Sequence, residues 1–144
     1  MIRHLSGIAE IVEDVGAAAA FYRSLGCDVK HEPDDGYAVV QIDGVLHFGL
    51  WDRRSAAEST YGDASAIDRV PLGFTIGIEV DDVDLAVKSL DGNVLRGPAD
   101  EPWGQRTVRF GSPSGALCEL SATPGARELK TNVRATSPSE EKLP

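Results

Sequence analysis

The chain has 144 residues, 42% of them hydrophobic, with a formal net charge of −9 and two cysteines. That length suits one domain with an ordinary core. The acidic balance argues against a nucleic-acid partner, and Cys27 and Cys118 make neither a CxxC pair nor a disulfide framework. No apolar run approaches the roughly 18 residues that a membrane span needs, and the start turns acidic at Glu10, Glu13 and Asp14 without the apolar core of a signal peptide. A reduced, cytoplasmic protein that does not engage membranes is the expectation.

In chain order, the first segment is a strand ending in an acidic turn. Asp14 is placed to cap a helix by accepting from free amides of its first turn, and Ala18, Phe21, Tyr22 and Leu25 form its apolar stripe. Gly26 closes it. Three strand-like runs follow, Cys27 to Lys30, Tyr37 to Ile42 and Val45 to Leu50. Asp35-Gly36 and Asp43-Gly44 serve as tight-turn pairs between them. Residues 51–72 are a polar linker, and a stretch of that length predicts a short helical turn near Ser55 to Ser59.

The pattern then repeats. Phe74, Ile76, Ile78 and Val80 alternate with small or polar residues, the period of a half-buried strand. Asp82 caps, Val83, Ala86, Val87 and Leu90 form a helical stripe, and Gly92 ends it. Strand-like runs at 93–95, 106–110 and 116–121 follow, the last two joined by the turn Ser112-Pro113-Ser114-Gly115. Ile8, Val12, Asp14, Val15 and Ala18 recur 68 residues later as Ile76, Val80, Asp82, Val83 and Ala86. An internal repeat of this kind determines the fold. The order β-α-β-β-β occurs twice, so the expectation is an α+β fold of two tandem βαβββ modules whose curved mixed sheets form an open barrel-like cleft. The boundaries are 5–50 for module one, 51–72 for the linker and 73–122 for module two, one domain over 1–123. A polar tail at 124–144 follows it.

These residues resemble the vicinal-oxygen-chelate superfamily, which includes glyoxalases, bleomycin-resistance proteins and extradiol dioxygenases. The resemblance covers residues 5–122. It rests on Val12-Glu13-Asp14 with Ala20-Phe21-Tyr22 and Leu25-Gly26, on Ile78-Glu79-Val80-Asp81-Asp82, on Gly97-Pro98 with Trp103-Gly104-Gln105-Arg106, and on Ser112-Pro113-Ser114-Gly115 leading into Glu119-Leu120. It implies a cleft on the concave side of the sheets. In enzymes of the superfamily that cleft holds a divalent ion, bound by His and Glu from four strand positions and acting as a Lewis acid. Residue by residue, those positions fall on Gly7, on Phe48 or, with the register one residue earlier, His47, on Thr75, and on Glu119. Glu119 matches, whereas Gly7 and Thr75 do not, and a hard divalent ion needs several N or O ligands in fixed geometry.

The resemblance is therefore nearest to the metal-free bleomycin-resistance branch. It implies a protein without a cofactor that binds an antibiotic or a metabolite, and a homodimer. The alternative is a lyase, isomerase or dioxygenase that depends on a divalent metal ion, with Glu119 and His47 among the ligands. The expected ligand-binding residues are Tyr37, Phe48, Trp51, Thr75, Trp103, Arg106 and Glu119. Strand parity from Glu119 puts Leu117 and Ser121 on its face and turns Cys118 and Leu120 toward the helices; by the repeat, Leu46 and Phe48 face the same cavity. Glu119 is expected to pair with Arg106 or Arg109, since a buried acid needs a counter-charge or hydrogen bonds. No phosphate-binding glycine loop, GxSxG elbow or HExxH is present.

Overall fold

The computed structural model describes residues 1–42 and 47–124. The turn expected at Asp43-Gly44, the inward-facing Leu46 and the tail beyond Pro124 lie outside them. The repeat is visible in the element order. Strand β1 (Ile2–Val12), helix α1 (Val15–Ser24) and strands β2 (Asp28–Lys30), β3 (Tyr37–Gln41) and β4 (His47–Asp52) form the first module. Strand β5 (Gly73–Val80), helix α3 (Val83–Ala86) continued by a 3₁₀ turn (Val87–Leu90), and strands β6 (Val94–Asp100), β7 (Arg106–Gly111) and β8 (Leu117–Ala122) form the second. All eight strands join one curved, unclosed mixed sheet in the order β2-β3-β4-β1-β5-β8-β7-β6. Within each module the first strand runs parallel to the last, and β1 and β5 join the modules in antiparallel register, Ile8 opposite Ile76.

The caps form as the residue types dictate. Asp14 Oδ1 accepts from Ala17 N and Asp82 Oδ1 from Leu85 N, which satisfies first-turn amides without helical partners. Gly26 adopts φ +95° beyond α1, a conformation that favours a residue without Cβ. On the convex face, Val15 and Ala19 of α1 pack on Val29, Ala38, Val40, Phe48 and Leu50. Val83 and Ala86 of α3 pack on Val80, Val108 and Leu120.

The stripe expected for the first helix is rotated. Phe21 and Leu25 are 58% and 66% exposed, and Val15 and Ala19 carry the burial instead. The 51–72 linker differs more. Its central residues form a nine-residue helix, α2 (Arg53–Tyr61), capped by Asp52 and ended by Gly62 at φ +71°. A 3₁₀ turn (Ala66–Arg69) follows. Ala56 and Ala57 are fully buried against Ile11, Val70 and Leu117, with Trp51 alongside. The sequence looks polar because only the short Ala56, Ala57 and Thr60 edge of α2 faces the sheet, and a helix buries one stripe rather than its whole surface.

Candidate functional site

Side chains of a strand alternate between faces, and directly paired residues share a face. The pairs Gly7–His47, Gly7–Gly77 and Gly77–Glu119 therefore lie in one row across the four central strands, all on the concave side. By the same parity Tyr37, Gly49, Trp51, Thr75, Glu79, Thr107, Arg109 and Ser121 share that face. Phe48 and Arg106 do not.

Phe48 is 5% exposed in the convex core beneath α1, its ring edge-on to Tyr22 at 5.4 Å. Arg106 lies on the convex side, where its guanidinium donates to Asp84 of α3 at 2.8 and 3.0 Å and to Asp100 at 3.1 Å. The register one residue earlier is the one that forms, and it puts His47, not Phe48, on the cleft side. At the second arginine position Arg109, directly opposite Glu119, faces inward.

The centre of the concave face is a charge network. Arg109 is 2% exposed. Its Nε donates to Glu119 Oε2 at 2.8 Å, its Nη2 to Glu101 Oε2 at 3.2 Å, and its Nη1 to Ser59 Oγ and Thr60 Oγ1 of α2 at 3.1 Å each. Its guanidinium carbon stands 4.9 Å from the Trp51 ring centroid, a cation–π contact. Arg96 adds a second cation on Glu101 at 3.3 Å and a hydrogen bond to Thr107 Oγ1. One guanidinium thus fastens the linker helix to the sheet and neutralises two part-buried carboxylates. Burial pushes the Glu119 carboxyl above its ordinary range, and the adjacent Arg109 draws it back only in part.

His47 and Glu119 stand at the two ends of the row. Glu119 is 27% exposed, and its Oε1 is not used by Arg109. Tyr37 Oη lies 2.6 Å from His47 Nε2, and the two rings stack at 5.9 Å with an interplanar angle of 6°. Burial lowers the His47 pKa, so the imidazole is neutral at neutral pH. Burial, reinforced by the Glu119 charge, raises that of Tyr37. The phenol and the imidazole thus share one hydrogen bond, whose donor is set by the imidazole tautomer. Gly49 lies under Tyr37, where a Cβ would fall 1.8 Å from Tyr37 Oη. The open wall of the cleft is therefore Tyr37, His47, Trp51 and Glu119: a stacked aromatic pair, an indole and one carboxylate.

The remaining expected residues serve other ends. Thr75 is 8% exposed and donates to Leu117 O and, at 3.3 Å, to Cys118 Sγ, holding β5 to β8. Trp103 sits in an exposed turn, its indole N–H donating to Gln105 Oε1 at 3.0 Å. Gln105 in turn reaches Thr123, which donates to the buried Glu79. A second concavity, of about 710 Å³, lies outside the sheet between the α1 N-terminus, the loop before β3 and α2. Its acids include Asp14 and Asp52, both already engaged as helix caps.

The donor set does not fit a divalent ion. Of the four positions that the resemblance assigns, Gly7 has no side chain and the Thr75 hydroxyl is taken up by Leu117 O. Glu119 is tied to a guanidinium, and His47 Nε2 is engaged by a phenol. Among the described residues no three His, Cys, Asp or Glu side chains converge as a metal-binding group. A cation at Glu119 would also lie beside the fixed positive charge of Arg109.

An eight-stranded open sheet built from two βαβββ halves, with a cleft on its concave side, defines a glyoxalase-type fold. Residues 2–120 match the family described as the Glyoxalase/Bleomycin resistance protein/Dioxygenase superfamily, and the chain belongs to it. Among solved structures it is similar to a glyoxalase/bleomycin resistance protein/dioxygenase superfamily member from Vibrio splendidus, at 16% identity and a TM-score of 0.56, covering 85% of this chain and 98% of that one. It is also similar to a variant methylmalonyl-CoA epimerase from Streptomyces coelicolor in complex with 2-nitronate-propionyl-CoA, at 20% identity and a TM-score of 0.54, covering 85% and 99%. Identities this low establish the fold alone. A comparison with curated proteins finds no match.

Proposed function

We propose that this chain is a metal-free small-molecule-binding protein of the superfamily, close in kind to its bleomycin-resistance branch, acting in the cytoplasm on an antibiotic or a metabolite. The observation that carries this reading is that both donor side chains of the central row are already committed, Glu119 to Arg109 and His47 to Tyr37. What remains for a ligand is the lining: the part of the Trp51 indole that Arg109 does not cover, the Tyr37–His47 stack and one carboxylate oxygen. Such a lining suits a planar ligand carrying a hydrogen-bond donor or positive charge, because aromatic faces attract cations and a half-open carboxylate accepts from them.

The test combines two measurements. Elemental analysis of purified protein is expected to find far less than one equivalent of divalent metal. Thermal-shift and tryptophan-fluorescence titrations with planar aromatic amines and, in parallel, planar aromatic carboxylates are expected to favour the amines, with Trp51 rather than Trp103 quenched. Stoichiometric metal that is lost in both Glu119→Ala and His47→Ala would establish the metal-dependent lyase, isomerase or dioxygenase reading instead.

A further inference from the structure

Two repeat-related helices cover the convex side of the sheet, and they leave its middle open. Helix α1 packs over β2, β3 and β4, and α3 with its 3₁₀ turn over β6, β7 and β8. Between them β1 turns Ile2 and Leu5 outward and β5 turns Phe74 and Ile76; their exposures are 68%, 43%, 59% and 38%. The Phe74 ring lies 6.2 Å from that of Phe48, Phe48 meets Tyr22 at 5.4 Å, and Tyr22 meets the exposed Phe21 at 5.1 Å. The open stripe therefore continues onto α1. In the sheet order β3, beneath α1, and β7, beneath α3, stand five strands apart, a span of about 24 Å. A helix with its side chains is about 10–12 Å across, so α1 and α3 leave a groove about one helix wide.

A contiguous apolar face of this kind marks an interaction surface, and one segment of the chain fits it by origin, length, pattern and charge. Strand β8 runs parallel to β5 with Ser121 opposite Glu79, so it ends level with Val80, and Val80 stands opposite Ile2. Residues 125–144, the tail outside the described residues, therefore start two strand spacings, about 10 Å, from the Ile2 end of the stripe. From Ile2 to the level of Glu10 the stripe runs about 26 Å along the strand, and twenty residues cover that length even at the helical rise of about 1.5 Å each. Ala126, Leu129 and Val133 fall at i, i+3 and i+7, one apolar helical stripe, and Pro138 bounds the pattern. Arg127, Lys130 and Arg134 repeat the same spacing one residue on, a basic row along one flank of that stripe. Residues 1–124 hold ten Lys and Arg against twenty Asp and Glu, whereas 125–136 hold three against one, so the field of the domain attracts the segment.

We propose that residues 125–136 dock as an amphipathic helix on the convex β1–β5 stripe of their own chain, with Leu129 and Val133 on Ile2, Leu5 and Ile76. The segment then fills the groove between α1 and α3 and gives the sheet a third covering helix. The proposal is independent of ligand identity and of the metal question, since the cleft opens on the other face.

Limited trypsin digestion of the full chain, with the cuts after Arg127, Lys130 and Arg134 timed by mass spectrometry, tests it. Leu129→Ser on the tail, and Ile76→Asp and Leu5→Ser on the stripe, are each expected to speed these cuts about tenfold over the wild type, because cleavage follows the population of the undocked segment. A cooperative thermal transition in each variant shows that the sheet is still folded. Trp103→Ser, in an exposed turn elsewhere, is expected to leave the cuts as slow as in the wild type. Wild-type cuts as fast as those in Leu129→Ser overturn the proposal. So do slow cuts that stay slow in both Ile76→Asp and Leu5→Ser, which would place the segment on another surface. Protection that is lost on dilution through the micromolar range, with sedimentation at twice the 15.3 kDa chain mass, would give the stripe to a second copy and overturn it as well.

Discussion

Replacing Arg109 by Met removes the one group that holds Glu119, part of Glu101 and helix α2 together. Met keeps most of the aliphatic volume over Trp51, so the loss is chiefly electrostatic. Stripping one partner from a buried ion pair costs about 3–5 kcal/mol, because the other charge stays buried and unpaired. Here Glu119 is 27% exposed and Glu101 retains Arg96 at 3.3 Å, so water and the second arginine reduce the penalty to the low end, about 3 kcal/mol. Against a domain stability of about 5–15 kcal/mol the variant stays folded but shifts its midpoint downward by roughly 10 °C, at ~3–4 °C per kcal/mol for a chain of this size. Urea denaturation at pH 7, followed by circular dichroism, measures the loss directly. The double variant Arg109→Met/Glu119→Gln is expected to recover about 1–2 kcal/mol of it, the coupling expected between contacting residues, because the unpaired carboxylate has gone. A single-variant loss below about 1 kcal/mol, or a double variant in which the two losses add, would refute the view that this pair organises the concave face.

Gly49→Ala is expected to push Tyr37 off His47, since the new methyl would sit 1.8 Å from Tyr37 Oη, and to cost about 1–3 kcal/mol as an overpacking change; thermal denaturation checks it. His47 has its pKa lowered by burial, so the unfolded chain binds its proton first. Its contribution to stability is present above about 6.5 and lost as pH falls through the lowered folded value, and His47→Gln should flatten that fall in a pH series of urea midpoints. Glu119 acts with the opposite sign. Its folded pKa is raised from 4.5, so its contribution is present below that value and lost as pH rises toward the folded one, and Glu119→Gln should remove that part of the slope. Trp51→Leu is expected to weaken binding of a planar aromatic amine by about 1–3 kcal/mol, the scale of a central aromatic anchor, measured by calorimetric titration.

Much of the fold is legible because local rules agree with the global repeat. Asp14 and Asp82, 68 residues apart, both cap helices, and the alternation through Phe74, Ile76, Ile78 and Val80 defines β5. The faces were harder to read. Phe48 and His47 differ by one residue, and a one-residue shift exchanges faces of a strand. In module two the information is there: the compact Ser112 to Gly115 turn forces Gly111 opposite Leu117 and hence Arg109 opposite Glu119, so counting outward from it singles out Arg109 over Arg106. Arg106 instead follows Asp84 to the helix side. The exposure of Phe21, Phe74 and Ile76 contradicts what hydrophobicity alone implies, because apolar periodicity reports that a face is meant to be covered without saying by what. The docking of α2 has no sequence signal beyond two alanines, since its polar ties, Arg109 to Ser59 and Thr60 and Arg53 to Val70 O and Glu13, are all long-range hydrogen bonds.

The glycines of the central row are more than missing ligands. A Cβ at Gly7 would lie 2.7 Å from the carbonyl oxygen of His47, and that neighbour is backbone in a parallel ladder, which cannot yield as a side chain can. Any larger residue at position 7 therefore requires β4 to move, and with it His47, Gly49 and Trp51, the strand that forms one wall of the cleft. At Gly77 the corresponding contact is Ser6 Oγ at 2.6 Å, the end of a small side chain that can rotate away. The two positions are thus unequal: the second could accept a donor side chain at little cost, the first could not. The β3–β4 pairing and the missing Cβ at Gly49 bring Tyr37 within stacking range of His47, while the close approach of β1 to the same strand β4 leaves no room for a ligand side chain at position 7. A larger side chain at position 7 and the present position of β4 are therefore alternatives, because one backbone contact decides between them.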